Sequence, residues 1–269
     1  MKRALIWLIL ILGTVVFLYP FLWMVSATFK PEMEIPSFGL LPSYITLASY
    51  EQVFAKIPIL RSLLNSLVVS ISITASVLFF GSMVGYALSR LRFRGREVMV
   101  MVILFTMMIP FQLTMIPLYI LMVKLHWTDT YLALIVPGMM SGFGILLFRQ
   151  FFKSVPQALI DAARMDGLSD LQILFRIIWP LSRPVLITVG IITFMNSWND
   201  VLWPLIVIRD QSIMTMPQMV TIFAVSGMAE AQLGVKLAAA TLLALPVIIT
   251  YAFFQRYFIE SLASTGRKG

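Results

Sequence analysis

A group of polar side chains interrupts the fifth long apolar stretch of the sequence, at Asn196, Ser197, Trp198, Asn199 and Asp200. Amide and carboxylate groups can hydrogen-bond sugar hydroxyls in pairs, and a tryptophan ring can stack on the apolar face of a pyranose. An ionised side chain at the centre of a membrane helix costs about 3 kcal/mol, so it usually faces a cavity or a partner. Four of these residues are therefore candidate ligands for a polyhydroxylated substrate: Asn196, Trp198, Asn199 and Asp200.

The same polar group could instead serve packing. An asparagine and an aspartate can hydrogen-bond across neighbouring helices, and Trp198 with Trp203 could belong to an aromatic belt at the membrane interface. Contact with substrate and packing between helices both remain open at this point. In the third apolar stretch, Pro110 and Pro117 predict a kinked helix.

A second polar segment, residues 161–167, lies between two apolar stretches near the middle of the chain. Ser154 and Pro156 predict a helix start, because a hydroxyl can accept an unpaired backbone N–H and proline is tolerated in a first turn. Gly167 predicts a left-handed end to this helix. The helix would carry a small apolar face made by Leu159, Ala162, Ala163 and Met165.

A second short helix is predicted to follow the glycine. Residues 169–172 read Ser-Asp-Leu-Gln, which fits a capping box, and Pro180 is expected to end the helix after Ile178. The result is a rigid two-helix hook whose alanines allow close approach to a groove on another protein. An amphipathic connector lying on the membrane surface is the alternative, and the residues alone favour neither.

The composition shows what surrounds these polar segments. Of the 269 residues, 60% are hydrophobic and 12% are charged, and the mean hydropathy is +0.94, so the chain is an integral membrane protein. A helix needs roughly 20 mainly apolar residues to cross the hydrocarbon core. We predict an all-α, polytopic fold with six transmembrane helices in a single domain, 1–269. The predicted spans are 4–28, 63–89, 98–123, 130–151, 185–207 and 235–257.

The positions of the basic residues predict the orientation, because cationic connections are retained on the cytoplasmic side. In a six-span arrangement most of them fall on one side: Lys2, Arg3, Arg90, Arg92, Arg94, Arg96, Arg149, Lys153, Arg164, Arg176, Arg183, Arg256, Arg267 and Lys268. Both termini and the loop 153–183 are therefore expected in the cytoplasm. The net charge of +8 is explained by these loops and by membrane lipid headgroups, and no nucleic acid is needed.

The sequence offers little for catalysis or metal binding. It has no cysteine and a single histidine, His126, so thiolate and histidine-cluster metal sites are not expected. The sequence also lacks the Gly-x-x-x-x-Gly-Lys-Ser/Thr pattern of a phosphate-binding loop. The stretch from Gly227 to Lys236 resembles this pattern only superficially. We therefore expect no catalytic residue, no metal and no cofactor bound by this chain.

The segment 155–184 strongly resembles the cytoplasmic signature loop of ABC importer permeases, whose pattern is Glu-Ala-Ala, three residues, Gly, and a downstream Pro. Asp161 stands where that family usually has Glu, which keeps the charge on a shorter side chain. Further positions that match the loop are Ala162, Ala163, Asp166, Gly167, Phe175, Pro180 and Pro184.

The resemblance covers nearly the whole chain and is closest to the carbohydrate-uptake branch, the smaller maltose-type permease subunit. Each matching segment is weak evidence by itself, and the resemblance to the family rests on the order and spacing of all of them together. They are Tyr19-Pro20 with Trp23 and Lys30, Asn65-Ser66, Tyr86-Ala87-Leu88 with Arg90 and Phe93, Ile116 to Tyr119, Trp198 to Asp200, and Gln255 to Phe258. The resemblance implies the type I ABC importer permease fold.

A function follows from the resemblance. It implies a subunit that hydrolyses nothing itself and forms half of a sugar pathway in a bacterial or archaeal cytoplasmic membrane. The implied partners are a second homologous permease subunit, two ATPase subunits that bind ATP and Mg²⁺, and an extracytoplasmic solute-binding protein. The residues implied to couple the chain to the ATPases are Asp161, Ala162, Ala163, Asp166 and Gly167.

Two other functions compete with this one. A secondary carrier could use Asp200 as a proton-linked carboxylate, but such carriers usually show paired repeats and several intramembrane charges, which are not evident here. An ABC permease for another solute, such as a phosphorylated polyol or an amino acid, is the closer alternative. A phosphate substrate would favour an arginine deep within the spans, and the predicted spans place none there.

Overall fold

The computed structural model describes residues 2–37, 39–226 and 232–265, and these ranges consist of helices and loops. Gly227, Arg267 and Lys268, which entered the sequence analysis, lie outside them. The α-helices are, in chain order, α1 (Lys2–Ala27), α2 (Ala48–Lys56), α3 (Ile59–Ser76), α4 (Ser82–Arg90), α5 (Arg96–Met108), α6 (Phe111–Lys124), α7 (Tyr131–Ile135), α8 (Gly142–Ser154), α9 (Gln157–Met165), α10 (Asp170–Ile173), α11 (Trp179–Leu181), α12 (Arg183–Trp198), α13 (Leu202–Val207), α14 (Met216–Val225) and α15 (Leu233–Thr265).

Apolar length identifies the helices that can cross a membrane. Among the described residues, four stretches pass by length and composition, namely Leu5–Ala27, Ile59–Arg90, Tyr131–Ser154 and Leu233–Phe253. Two bent pairs pass only when each is taken as one span, α5 with α6 at 97° and Asp170–Leu181 with α12 at 88°. The polytopic, all-α fold is as expected, while the count of six spans and the cytoplasmic termini stay predictions.

The helix Ile59–Arg90 contains a π-helical turn, Val77–Gly81, which joins α3 to α4. A turn of this kind inserts a residue into the hydrogen-bond ladder without ending the helix. A second π-helical turn, Leu174–Ile178, joins α10 to α11 in the same way.

The third predicted span is broken rather than gently kinked. Pro110 has no N–H and disfavours the helical conformation of the residue before it, and Ile109 accordingly has an extended backbone (φ −83°, ψ 116°). Pro117 lies inside α6 without ending it. The proline at 110 therefore separates two helices that meet at 97°.

The fifth predicted span is also interrupted, and the interruption coincides with the polar group. Helix α12 ends at Trp198 and α13 begins at Leu202. The carboxylate of Asp200 accepts the backbone N–H of Trp203 at 3.4 Å, in the first turn of α13. A short acidic side chain at a helix start favours a break here, because it satisfies a backbone donor that has no partner within the helix.

The tightest helix contact lies between α4 and α8. A Cβ atom at Gly85 would come within 2.6 Å of Phe148 Cβ and 3.1 Å of the Arg149 backbone nitrogen. One turn earlier, a Cβ at Gly81 would lie at an ordinary 3.6 Å from Phe148. Gly85 therefore lets the two backbones approach, as small residues do between membrane helices.

We expect Gly85→Ala to lower the free energy of unfolding by about 1–3 kcal/mol, because the added methyl group must displace a helix backbone. Gly81→Ala is the matched control on the same face, where the Cβ finds room. Thermal unfolding of the detergent-solubilised protein measures both. Equal losses at the two positions would contradict the close approach at Gly85.

The buried side chain of Asn65 organises the opposite end of the molecule. Its Nδ2 donates to the backbone oxygens of Ser212 (3.0 Å) and Met214 (2.9 Å), and its Oδ1 accepts from the Tyr131 hydroxyl at 2.7 Å. Ser66 Oγ accepts the Met216 N–H at 2.7 Å. These bonds fix the start of α14 against α3, and with it one wall of the cavity described next.

Candidate functional site

A cavity of about 400 Å³ lies where α3, α12 and α13 meet. Its walls combine aliphatic residues with aromatic and polar ones, so it offers both apolar contacts and hydrogen-bonding groups. The lining residues are Val69, Ile73, Val77, Phe111, Leu134, Pro137, Gly138, Ser141, Thr193, Asn196, Ser197, Asp200, Trp203, Pro204 and Thr215.

The break between α12 and α13 brings two of the four candidate ligands into this cavity, Asn196 and Asp200. They add an amide and a carboxylate to the hydroxyls of neighbouring lining residues. The Oγ atoms of Ser197 and Thr215 are buried and have no hydrogen-bond partner within the described part of the chain. Buried polar groups are normally satisfied, so these two hydroxyls are exceptions in the wall of the cavity.

The other two candidate ligands lie elsewhere. Trp198 is fully buried and stacks on Phe194, with ring centroids 5.8 Å apart, and it is not among the residues that line the cavity. Asn199 is exposed, and its Nδ2 donates to the Met195 backbone oxygen at 2.8 Å.

Trp203 supplies the aromatic wall that the sequence suggested for Trp198. Its Nε1 donates to the Ala133 backbone oxygen at 2.8 Å, which fixes the ring, and Phe111 packs edge-on against it at 5.9 Å. From the sequence, Trp203 was expected only in an interfacial aromatic belt. The helix break at 199–201 was the missing information, because an unbroken helix would place residues 198 and 203 on different faces.

A second candidate site lies at the end of the molecule that carries Arg90. It is a hook formed by residues 157–181, in which α9 is joined through Gly167 to the helical segment Asp170–Leu181. Gly167 is left-handed (φ +82°), its N–H donates to the Arg164 oxygen, and the Leu168 N–H donates to the Ala163 oxygen. This is a Schellman motif, so the predicted glycine end of the first helix is confirmed.

The ends of the hook helices test the remaining local predictions. The capping box is confirmed, with the Ser169 and Gln172 side chains each bonded to the other's backbone N–H. The expected Ser154 cap is wrong: its hydroxyl donates to the Phe151 oxygen, and Pro156 occupies the position before α9. The expected stop at Ile178 is also wrong, because the π-helical turn before Pro180 lets the segment continue to Leu181.

The faces of α9 are divided differently from the prediction. Ile160 and Ala163 are buried against the rest of the chain. An exposed stripe lies on the other side, with the i, i+3, i+4, i+7 spacing of a single helix face. It consists of Ala158, Asp161, Ala162 and Met165, and Met165 is 89% exposed.

The five coupling candidates are thus separated by burial. Asp161, Ala162, Asp166 and Gly167 are exposed, whereas Ala163 packs inward. Met165 belongs with the exposed group, although it is not among the five predicted coupling residues. The bond that Arg164 donates to Asp170 at 3.0 Å raises the pKa of the Arg164 guanidinium, so the charge at the base of the hook is retained.

Several apolar helices, a polar cavity between them and an exposed two-helix hook at one end define a membrane-spanning permease subunit. Residues 77–263 match the family described as binding-protein-dependent transport system inner membrane component. The match covers most of the chain, and the protein belongs to this family. It is a multi-pass inner-membrane transport component.

Known proteins similar to the chain include transport permeases named for different solutes. The chain is 37% identical to the arabinooligosaccharides transport system permease protein AraQ of Halalkalibacterium halodurans, over 93% of this chain and 91% of the relative. It is 31% identical to the sn-glycerol-3-phosphate transport system permease protein UgpE of Escherichia coli O1:K1 / APEC, over 95% and 94%.

A solved structure of similar fold is the crystal structure of a bacterial ABC transporter involved in the import of the acidic polysaccharide alginate. One of its chains superposes with a TM-score of 0.83 at 27% sequence identity, and the alignment covers 96% of each chain. The expected ABC importer permease fold is therefore confirmed.

Proposed function

We propose that this chain is a transmembrane subunit of an ATP-driven, binding-protein-dependent sugar importer and forms half of its translocation pathway. The observation that carries the proposal is the pairing, in one chain of this family, of a polar cavity with aromatic walls and an exposed hook. The cavity offers groups that hydrogen-bond hydroxyls together with rings that pack on a sugar face.

The hook supports coupling to a separate ATPase. Its exposed stripe combines small side chains with the projecting Met165, a shape that fits a groove on a partner. Coupling through Asp161, Ala162, Asp166 and Gly167 would use this face, whereas Ala163 would act by packing α9 onto the chain. We place the hook and both termini in the cytoplasm, on the charge asymmetry of the loops.

The remaining partners follow from the same proposal. A second homologous permease completes the pathway, two ATPase subunits bind ATP and Mg²⁺, and an extracytoplasmic solute-binding protein delivers the substrate. The exposed apolar side chains of α5 and α6, among them Phe105, Leu113 and Ile116, suit contact with lipid or with the second permease. This chain itself needs no cofactor.

The charge of the cavity favours a neutral sugar over a phosphorylated polyol. Among the described residues that line it, none is lysine or arginine, and Asp200 supplies an acidic group. A phosphate or carboxylate would be repelled by that carboxylate and would find no paired cation. The importer for a phosphorylated polyol is the alternative that the experiment distinguishes, whereas the family match over residues 77–263 argues against the secondary carrier that uses Asp200.

The test isolates the complex through this subunit, reconstitutes it in liposomes and measures ATP hydrolysis. Solute-binding proteins are paired in turn with neutral oligosaccharides, uronates and sn-glycerol 3-phosphate. Stimulation by a neutral sugar and its binding protein is expected. Stimulation by the phosphate alone would favour the phosphorylated-polyol importer, and the absence of any ATPase from complexes isolated from intact membranes would contradict the proposed coupling to ATP hydrolysis.

We expect Asn196→Ala to raise the sugar concentration for half-maximal uptake about three- to tenfold, the range for one lost hydrogen bond. Asn199→Ala is the matched control, since Asn199 bonds its own helix and does not line the cavity. Uptake by proteoliposomes at a series of sugar concentrations distinguishes them. A larger effect at Asn199 would place the sugar outside this cavity.

A further inference from the structure

Three side chains on one face of α4 hydrogen-bond to the hook or to the chain that enters it. They are Ser82, Tyr86 and Arg90, spaced four residues apart, so they lie one above another along the helix. Ser82 Oγ accepts from Trp179 Nε1 at 3.0 Å, and the Tyr86 hydroxyl donates to Asp170 Oδ1 at 3.0 Å. We name this set the polar ladder.

Arg90 holds the entry to the hook. Its Nε donates to the Phe152 backbone oxygen at 2.9 Å, and one terminal nitrogen donates to the oxygens of both Phe152 and Val155. The Phe152 carbonyl lies in the last turn of α8 and also accepts the Val155 N–H at 3.3 Å, and the Val155 carbonyl follows the helix, where backbone acceptors lack partners within the helix. A planar guanidinium with several donors can satisfy them together, which a lysine ammonium would do less well.

The contacts of Arg90 continue to the exposed stripe. Its other terminal nitrogen donates to Gln157 Oε1 at 3.0 Å, and Gln157 Nε2 donates to Asp161 Oδ1 at 2.9 Å. Asp161 lies on the face that carries Met165. A chain of hydrogen bonds therefore runs from the end of α4 to the proposed docking surface.

Tyr86 holds the two helices of the hook to each other as well as to α4. Asp170 Oδ1 accepts from the Tyr86 hydroxyl and from Arg164 NH2, both at 3.0 Å. Arg164 belongs to α9 and Asp170 opens α10. One carboxylate thus joins three helices, and loss of the tyrosine hydroxyl would leave the hook without this link to α4.

The number of contacts along α4 has a mechanical consequence. Residues 82 and 90 are separated by about 12 Å along a helix axis, at 1.5 Å per residue. The hook already buries apolar side chains such as Ile160, Ile173 and Ile178 against the chain, and polar contacts at three levels add directional bonds that fix its orientation relative to α4. The close approach of α4 to α8 at Gly85 lies within the same stretch.

The helix that bears the ladder also forms a wall of the cavity. Val69, Ile73 and Val77 line the cavity and belong to the continuous helix Ile59–Arg90. A displacement of the hook that moves this helix as a whole would therefore move the cavity wall.

We propose that Ser82, Tyr86 and Arg90 are positioning residues that make the hook and the helix Ile59–Arg90 move as one rigid body, so that movement imposed on the hook by an ATPase reaches the cavity. The inference rests on the proposed function. It adds a named route between the two sites, through residues that do not line the cavity.

The test uses the reconstituted complex with Tyr86→Phe, which removes one oxygen, and with Arg90→Lys, which keeps the charge. Sugar transported per ATP hydrolysed is expected to fall about tenfold in each, as for a lost hydrogen bond to a charged or multiply bonded group. Co-purification of the ATPase is measured in the same preparations. Arg92→Lys, two residues beyond Arg90 and exposed, is the matched control and keeps the ratio of the unmodified protein.

A cross-link provides the second measurement, because the chain has no cysteine of its own. In Tyr86→Cys/Asp170→Cys a short bis-methanethiosulfonate linker forms a disulfide with each cysteine thiol and releases a sulfinate each time, so a covalent link replaces the hydrogen bond. Coupling is expected to be low before the linker is added and to recover after it. Transport that is blocked by the linker would show that the hook must move against α4, which overturns the ladder.

The experiment distinguishes failure of the polar ladder from failure of the proposed function. If the unmodified complex couples ATP hydrolysis to sugar uptake while Tyr86→Phe and Arg90→Lys keep the same ratio, the ladder is wrong and the proposed function stands. If the unmodified preparation contains no ATPase, the proposed function is wrong and the ladder falls with it.

Discussion

Met165→Asp is expected to abolish sugar-stimulated ATP hydrolysis and to separate this permease from its ATPase partner. The Met165 side chain is 89% exposed at the outer edge of the hook, on the stripe it shares with Ala158, Asp161 and Ala162. Burying a methionine side chain in a partner contributes about 1.5–3 kcal/mol, and an unpaired carboxylate in its place would oppose docking. The affinity of the permease for the ATPase should fall about tenfold to a hundredfold.

The variant should nevertheless fold, since substitutions at exposed positions usually change stability by no more than about 0.5 kcal/mol. Met33→Asp is a matched control. Met33 is 96% exposed and lies in the short 3₁₀ turn Glu32–Glu34, which follows the C-terminal end of α1. The measurement is the amount of ATPase retained when each variant is isolated from membranes. Retention by Met165→Asp equal to that of Met33→Asp would remove the exposed stripe of α9 from the docking surface.

A neighbouring pair separates docking from folding. Ala162 is exposed and Ala163 is buried beside Ile160, although the two are adjacent and identical in type. An arginine at 162 would meet the partner, while an arginine at 163 would have to enter the packed face beneath α9. The inward orientation of Ala163 could not be read from the sequence, because small apolar residues occupy both faces of this helix.

The local signals of the hook were predictable because they depend on neighbouring residues alone. Ser169 and Gln172 satisfy each other's backbone, and Gly167 adopts a conformation that other residues reach at a cost. The Ser154 cap was wrong because that hydroxyl instead bonds back to Phe151, one turn earlier in α8. The predicted cap and the observed bond to Phe151 are both local hydrogen bonds of the Ser154 hydroxyl, and sequence patterns do not decide between them.

The cavity depended on long-range structure and was only partly predictable. Polar residues in an apolar stretch correctly identified the segment, and two of the four candidates, Asn196 and Asp200, line the cavity. Trp203 was missed as a wall residue because its orientation depends on the break between α12 and α13. Likewise, no pattern within α4 indicates that its polar face meets Asp170 and Trp179, which lie 84 and 97 residues further along the chain.

Gly167→Pro is expected to abolish uptake while the protein remains in the membrane. Proline fixes φ near −65°, whereas Gly167 has φ +82°. The substitution also removes the N–H that donates to the Arg164 oxygen at 3.0 Å. The turn between α9 and α10 must then rebuild, which changes the direction of the exposed stripe relative to Asp170 and α4.

A graded series makes this prediction specific. Gly167→Ala keeps the N–H, and its Cβ would find no atom within 4 Å, so it carries only the left-handed strain of about 1–2 kcal/mol. Gly95→Ala imposes the same strain on a second left-handed glycine, at φ +87° with similar free space, in the loop before α5. Uptake per inserted molecule should decrease from Gly95→Ala to Gly167→Ala to Gly167→Pro. The two alanine variants carry the same strain at different places in the chain. If they support equal uptake, and Gly167→Pro also supports uptake, then the turn at Gly167 does not transmit movement from the ATPase.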